Sequence, residues 1–88
     1  MRRAFLTAAI LMIAGGSSSA QDRCADLWYE RNEIYKNAGY CFRTAQAIRA
    51  FGNAGCMYDN QQDVPLSARA RGRVAEIVRL ERAYACPR

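Results

Sequence analysis

Four cysteines are the residues best placed to do chemistry in this chain, and the chemistry they support is cross-linking. Cys24, Cys41, Cys56 and Cys86 are separated by 17, 15 and 30 residues. That spacing contains no C-x-x-C for thiol–disulfide exchange or for a zinc knuckle. The 88 residues include no histidine, which removes the commonest general base and metal ligand and with it any Ser-His or Cys-His nucleophile. The carboxylates are scattered. Glu30 and Glu33 stand three apart and read as a solvated helix face rather than an acid/base pair. Asp59 and Asp63 are too few for calcium, which takes six or more oxygens, and no Gly-rich loop is placed to cradle a phosphate. The expectation is a non-enzymatic chain with no cofactor and no metal, in a domain too small to form a pocket of about 300 Å³ or more.

Whether the thiols oxidise depends on compartment, and the N-terminus speaks to that. Residues 1–20 read MRRAFLTAAILMIAGGSSSA: two arginines, an uncharged and mostly apolar run from Ala4 to Ala14, then small residues ending in Ser18-Ser19-Ala20. This is the layout of a cleaved secretory signal. The eleven-residue apolar run spans about 16 Å as helix, roughly half of a bilayer core of about 30 Å, which is short for a membrane anchor. Gln21-Asp22-Arg23 is too polar to precede a lipidated Cys24. The expected organisation is a signal peptide at 1–20 and one domain at 21–88, secreted or periplasmic. Cleavage after Ala20 leaves 68 residues; it removes Arg2 and Arg3 but no carboxylate, so the net charge falls from +5 to +3. With no recognisable binding motif beside that modest charge, nucleic acid is not an expected partner. Charges of both signs on the outer helix faces argue against membrane insertion after cleavage. Arg69, Arg71 and Arg73, the densest basic patch, read as a solvated helix face.

Export makes two disulfides the expected state of the cysteines. Four cysteines allow three pairings. Cys24 and Cys86 lie near the two mature termini and suit a staple between them, which leaves Cys41 and Cys56 to bracket a short helix. Cys24–Cys56 with Cys41–Cys86 is the alternative in an up-down-up chain. Closing a loop of about 15 residues is worth about 3 kcal/mol, and one of about 62 residues about 4 kcal/mol, in the loop-entropy account. A core this small supplies only a few kcal/mol net, so the bridges decide whether the chain folds.

The elements that position these residues are helical. Asp26 to Asn37 has Leu27, Ile34, Tyr35 and Ala38 on one stripe, with Asp22 or Asp26 as cap and Gly39 as terminator. Thr44 to Phe51 is a short segment capped by Thr44, with Ala47, Ile48 and Phe51 together, and Gly52-Asn53 then accepts positive φ. Ala68 to Tyr84 follows the N-cap Ser67 and aligns Ala70, Val74, Ile77, Val78 and Tyr84. Residues 57–66 form a polar loop. The fold class is all-α: a small disulfide-stapled three-helix domain. Two residues break the pattern. Arg31 projects into the middle of the first apolar stripe and Glu81 into the middle of the last. Snorkelling explains Arg31 alone; an Arg31–Glu81 pair across the helix interface explains both, because a lone charge there is costly to desolvate. Trp28, at the edge of the first stripe, is expected to be mostly buried within the monomer rather than used in a dimer.

The stretch Leu27-Trp28-Tyr29-Glu30-Arg31-Asn32-Glu33-Ile34-Tyr35-Lys36-Asn37-Ala38-Gly39-Tyr40-Cys41-Phe42 resembles the YARHG domain family, whose pattern runs an R-N-x-I-Y element into Gly-Tyr-x-Phe. Arg31, Asn32, Ile34, Tyr35, Gly39, Tyr40 and Phe42 fit it. The eponymous motif is Tyr35-Lys36-Asn37-Ala38-Gly39, which keeps only the first and last residues and has Ala38 at the family's histidine. The resemblance implies an extracytoplasmic bacterial domain without an assigned activity, and it supports Arg31, Tyr35 and Gly39 as fold determinants. Asn32, beside the apolar stripe, is expected to hydrogen-bond nearby backbone.

The functional expectation is therefore a small secreted or periplasmic binding module that contacts an envelope protein or a cell-wall polymer. Tyr29, Tyr58, Arg43 and Arg49 are its candidate surface, since Tyr and Arg are enriched in binding hot spots. The alternative is a small inhibitor or effector that acts on an extracytoplasmic hydrolase through loop 57–66.

Overall fold

The computed structural model describes residues 15–87. Three helices make up the regular structure: α1 (Gly15–Asn37), α2 (Ala45–Phe51) and α3 (Ala68–Ala83), with a single 3₁₀ turn at Gln61–Asp63 between α2 and α3. Helix α1 begins well before the expected start at Asp26. Nothing between Ser17 and Ala25 breaks a helix, so Asp22 and Asp26 lie inside α1 and do not cap it. The expected cleavage point after Ala20 also falls within α1, and residues 1–14 of the expected signal lie outside the described residues. No described helix is long and apolar enough to cross a membrane.

Helix ends follow local chemistry. Gly39 adopts φ +97°, which only glycine does without steric cost; the chain turns there, with the Tyr40 N–H donating to Tyr35 O at 3.0 Å and the Gly39 N–H to Lys36 O at 3.1 Å. Thr44 Oγ1 accepts from the Ala47 N–H at 3.2 Å and Ser67 Oγ from the Ala70 N–H at 3.0 Å, each satisfying a donor that the first helical turn leaves unpaired. Helix α3 ends in a Schellman turn: the Cys86 N–H donates to Glu81 O at 2.8 Å and the Ala85 N–H to Arg82 O at 3.1 Å. Ala85 holds the left-handed position at φ 54°, usually glycine's. The turn swings Cys86 back to Cys24, with 5.5 Å between the Cα atoms.

Helix α1 is the spine, packed against α3 on one side and α2 on the other. Against α3 it runs antiparallel. The Cys24–Cys86 disulfide closes one end, and Ile34 and Ala38 border Pro65, Leu66 and Ala70 at the other. Leu27, Ile77 and Cys86 form the buried centre of this interface, with Cys24, Ile34 and Leu80 packed around it. On the opposite side an aromatic series runs from Tyr35 through Tyr40 and Phe42 to Phe51, which receives Tyr29 and Trp28 from α1. The Cys41–Cys56 bridge spans this side. Tyr40 and Tyr58 form an isolated parallel bridge, in which the Cys41 N–H donates to Tyr58 O at 2.8 Å and the Tyr58 N–H to Gly39 O at 3.0 Å.

Several expected core positions lie elsewhere. Ile48 and Tyr84 are exposed. A seven-residue α2 has room to bury only Ala47 fully, and Tyr84, as the C-cap of α3, has left the helical face it would otherwise continue. Asn53 does not take positive φ. Its side-chain amide instead satisfies the backbone of Phe42, accepting from the N–H at 2.7 Å and donating to the carbonyl at 3.0 Å.

Candidate functional site

Charges at the α1–α3 interface are matched. Arg31 donates to Glu81 through Nε at 2.9 Å and Nη2 at 3.0 Å. Glu81 is 1% exposed, and the Arg31 side chain reaches further toward solvent. This bidentate geometry uses both carboxylate oxygens, which makes such burial tolerable. A second bidentate pair lies near the surface: Arg73 donates to Glu30 through Nε at 2.6 Å and Nη2 at 2.7 Å, and through Nη1 to Glu76 at 2.8 Å. Glu30 and Arg73 are therefore cross-helix partners, contrary to the expectation of two unrelated solvated faces. The hydrogen bonds from Arg73, and secondarily its charge, hold the Glu30 carboxyl below its ordinary range; the same bonds raise Arg73 above its own. Arg71 donates to Leu66 O at 2.7 Å, so Arg71 and Arg73 of the basic patch of α3 have structural partners, while Arg69 is exposed.

Between α1, the start of α2 and the C-terminal turn lies an open groove of about 810 Å³. This overturns the expectation that so small a domain has no room for a pocket: the start of α2 forms one wall beside α1, and residues of the C-terminal turn, Tyr84, Ala85 and Pro87, form another. The rings of Trp28, Tyr40, Phe42 and Tyr84 line it, with Ala25 and Ala47 between them. Trp28 is largely but not fully buried, in keeping with the expectation. One side of its indole meets Phe51 at 6.0 Å between centroids, and it also borders the groove.

Two polar side chains in the lining are distinctive. Asn32 is 6% exposed and donates through Nδ2 to Trp28 O, one turn earlier, at 2.9 Å. Among the described residues no donor meets its Oδ1. Asn32 also borders the open groove, so its remaining acceptor capacity is available there. Arg43 stands at the rim, donating through Nη2 to Asp59 O at 2.9 Å and to Asn60 Oδ1 at 3.2 Å. No described carboxylate pairs with it, and none lines the groove.

The four residues expected to form one interaction surface have different settings. Arg43 lines the groove. Tyr29 is 49% exposed but lays its ring on Phe51 at 4.7 Å, and Arg49 is exposed on α2. Tyr58 is half-buried, with its N–H bonded to Gly39 O and its ring beside Gly39. Asn32 and Trp28 carry the groove instead. Asn32 had only its place beside the stripe as a signal; nothing in the sequence distinguished an unpartnered amide from a satisfied one. No group of three or more His, Cys, Asp or Glu among the described residues could hold a metal ion.

These features define a disulfide-stapled all-α domain with one open aromatic groove. The chain belongs to the YARHG domain family, whose match covers residues 3–82. No curated protein and no solved structure matches it. The family's eponymous pentapeptide falls at the C-terminal turn of α1, where Gly39 takes its positive φ.

Proposed function

We propose that this protein is exported, cut after Ala20, and serves outside the cytoplasm as a non-enzymatic binding module for an envelope protein or a cell-wall polymer. The observation that carries the reading is the groove, with its largely buried Trp28 and the unpartnered Oδ1 of Asn32. Pockets that hold ligands combine apolar and aromatic walls with a few placed polar groups, and this one does. Two disulfides in a small domain suit an oxidising compartment. The test is affinity capture from envelope extract with the exported, oxidised protein, alongside an Ala25→Trp variant that fills the groove from an exposed position. A partner retained by the first and lost by the second supports the reading; equal retention by both removes the groove from it.

A second reading, inhibition of an extracytoplasmic hydrolase through residues 57–66, draws on one observation. The loop is braced by Cys41–Cys56 at its base and by Arg43 at Asp59 and Asn60, while Met57 is 71% exposed. A captured hydrolase whose inhibition is lost on Met57→Glu would favour it.

A further inference from the structure

We infer that the groove takes an extended, acidic peptide segment of a partner protein, a proposal that rests on the binding-module reading above. Three features of the lining each ask for a different group. The Trp28 and Tyr84 rings offer apolar surface to a side chain. The Asn32 Oδ1, buried and unpartnered among the described residues, asks for an N–H donor. Arg43 has one of its terminal nitrogens committed to loop carbonyls and no carboxylate opposite it, so it asks for an anion.

An acidic peptide carries all three groups at short spacing: an apolar side chain, a backbone N–H and a carboxylate. A peptide N–H to Asn32 Oδ1 would give that oxygen a direct partner within the groove. A glycan fits less well. Each sugar hydroxyl donates a hydrogen bond, which carboxylates receive best, and no described carboxylate lines the groove. The second guanidinium of the lining, Arg31, is neutralised by Glu81, so the attraction for an anion centres on Arg43. Gln21 also borders the groove; cleavage after Ala20 would place a new α-ammonium group there and strengthen the same preference.

The test is selection of random dodecapeptides displayed on phage against the exported, oxidised protein, with an N-acetylglucosamine hexamer as a separate glycan probe. The expected result is enrichment of peptides that place an acidic residue beside an apolar one. A synthetic enriched peptide should bind at least ten-fold more weakly to Ala25→Trp, and selection against Arg43→Glu should turn toward basic peptides. A structural role for Arg43 would weaken binding without reversing the charge preference. Peptides enriched without charge preference, or bound equally by Ala25→Trp, overturn the proposal and leave the module reading standing. Groove-dependent binding of the hexamer overturns it in favour of a polymer. No binding by either probe overturns it too, and the module reading falls as well if envelope extract yields no groove-dependent partner.

Discussion

Glu81 receives both of its hydrogen bonds from one guanidinium, that of Arg31, fifty residues earlier in the chain. The pair lies among Leu27, Ile77, Ile34 and Leu80, the residues that hold α1 against α3. It fixes how the two helices slide past each other, because a shift by one turn would leave both charges without partners. Each charge separately looked misplaced on an apolar stripe; together they specify one register.

Removing one member should therefore cost more than removing both. Arg31→Met is expected to destabilise by about 3–5 kcal/mol, because it strands a buried carboxylate. Arg31→Met with Glu81→Leu should recover most of that loss. Urea denaturation of the oxidised proteins measures it, and a double variant weaker than the single one would show that the pair contributes net stability beyond its matching.

The two disulfides should contribute unequally. The loop closed by Cys24–Cys86 is 62 residues and that closed by Cys41–Cys56 is 15, so the loop-entropy account assigns them about 4 and about 3 kcal/mol. The double replacement Cys24→Ser/Cys86→Ser is expected to lower stability more than Cys41→Ser/Cys56→Ser. Peptide mapping without reduction checks the connectivity itself: a fragment joining Cys24 to Cys56 would contradict the fold.

Acid should weaken the Glu30–Arg73 bridge. The Glu30 carboxyl titrates below its ordinary value in the folded state, chiefly through hydrogen bonds from Arg73. Its stabilisation is thus complete above the unfolded carboxylate pKa, about 4.3, and is lost as pH falls through the lower folded value. Wild type should exceed Glu30→Gln in Tm at pH 7, and the difference should close toward pH 3. The pair is exposed enough for salt to screen it, so 1 M NaCl should shrink the gap at pH 7 as well.

Two turns give opposite responses to the same pair of residues. At Gly39 a Cβ would combine φ +97° with contacts of 3.2 Å to Met57 Cε and 3.3 Å to the Tyr58 ring. Gly39→Ala should then cost more than the ~1 kcal/mol or so expected for an alanine at positive φ alone. At Ala85 the alanine already occupies that region, φ 54°, so Ala85→Gly should be neutral to slightly stabilising. Thermal melts of both variants check the signs; a stabilising Gly39→Ala would mean that the turn at the end of α1 differs from the one described.

The all-α class, the three helical segments, their Thr44 and Ser67 caps and the glycine stop at Gly39 were all legible, because each depends on periodicity or on backbone chemistry within a few residues. The start of α1 was not. Asp26 is a good cap residue, but nothing before it stops the helix, so continuation to Gly15 prevailed. The groove was illegible for a different reason. Its walls come from α1, the start of α2 and the tail that a left-handed Ala85 turns back toward α1, and the meeting of those three is not written in any local pattern.

Cysteine number and the alternation of apolar and charged residues thus determined by themselves the kind of domain this is: small, helical and cross-linked, with no histidine. Only the tertiary structure decided how its polar residues are used. Whether Glu30 is solvated or bridged, whether Trp28 is core or wall, and whether the Asn32 carbonyl finds a donor depend on which groups arrive from distant parts of the chain. Those meetings are set by packing across α1, where every neighbour comes from at least one turn, loop or helix away.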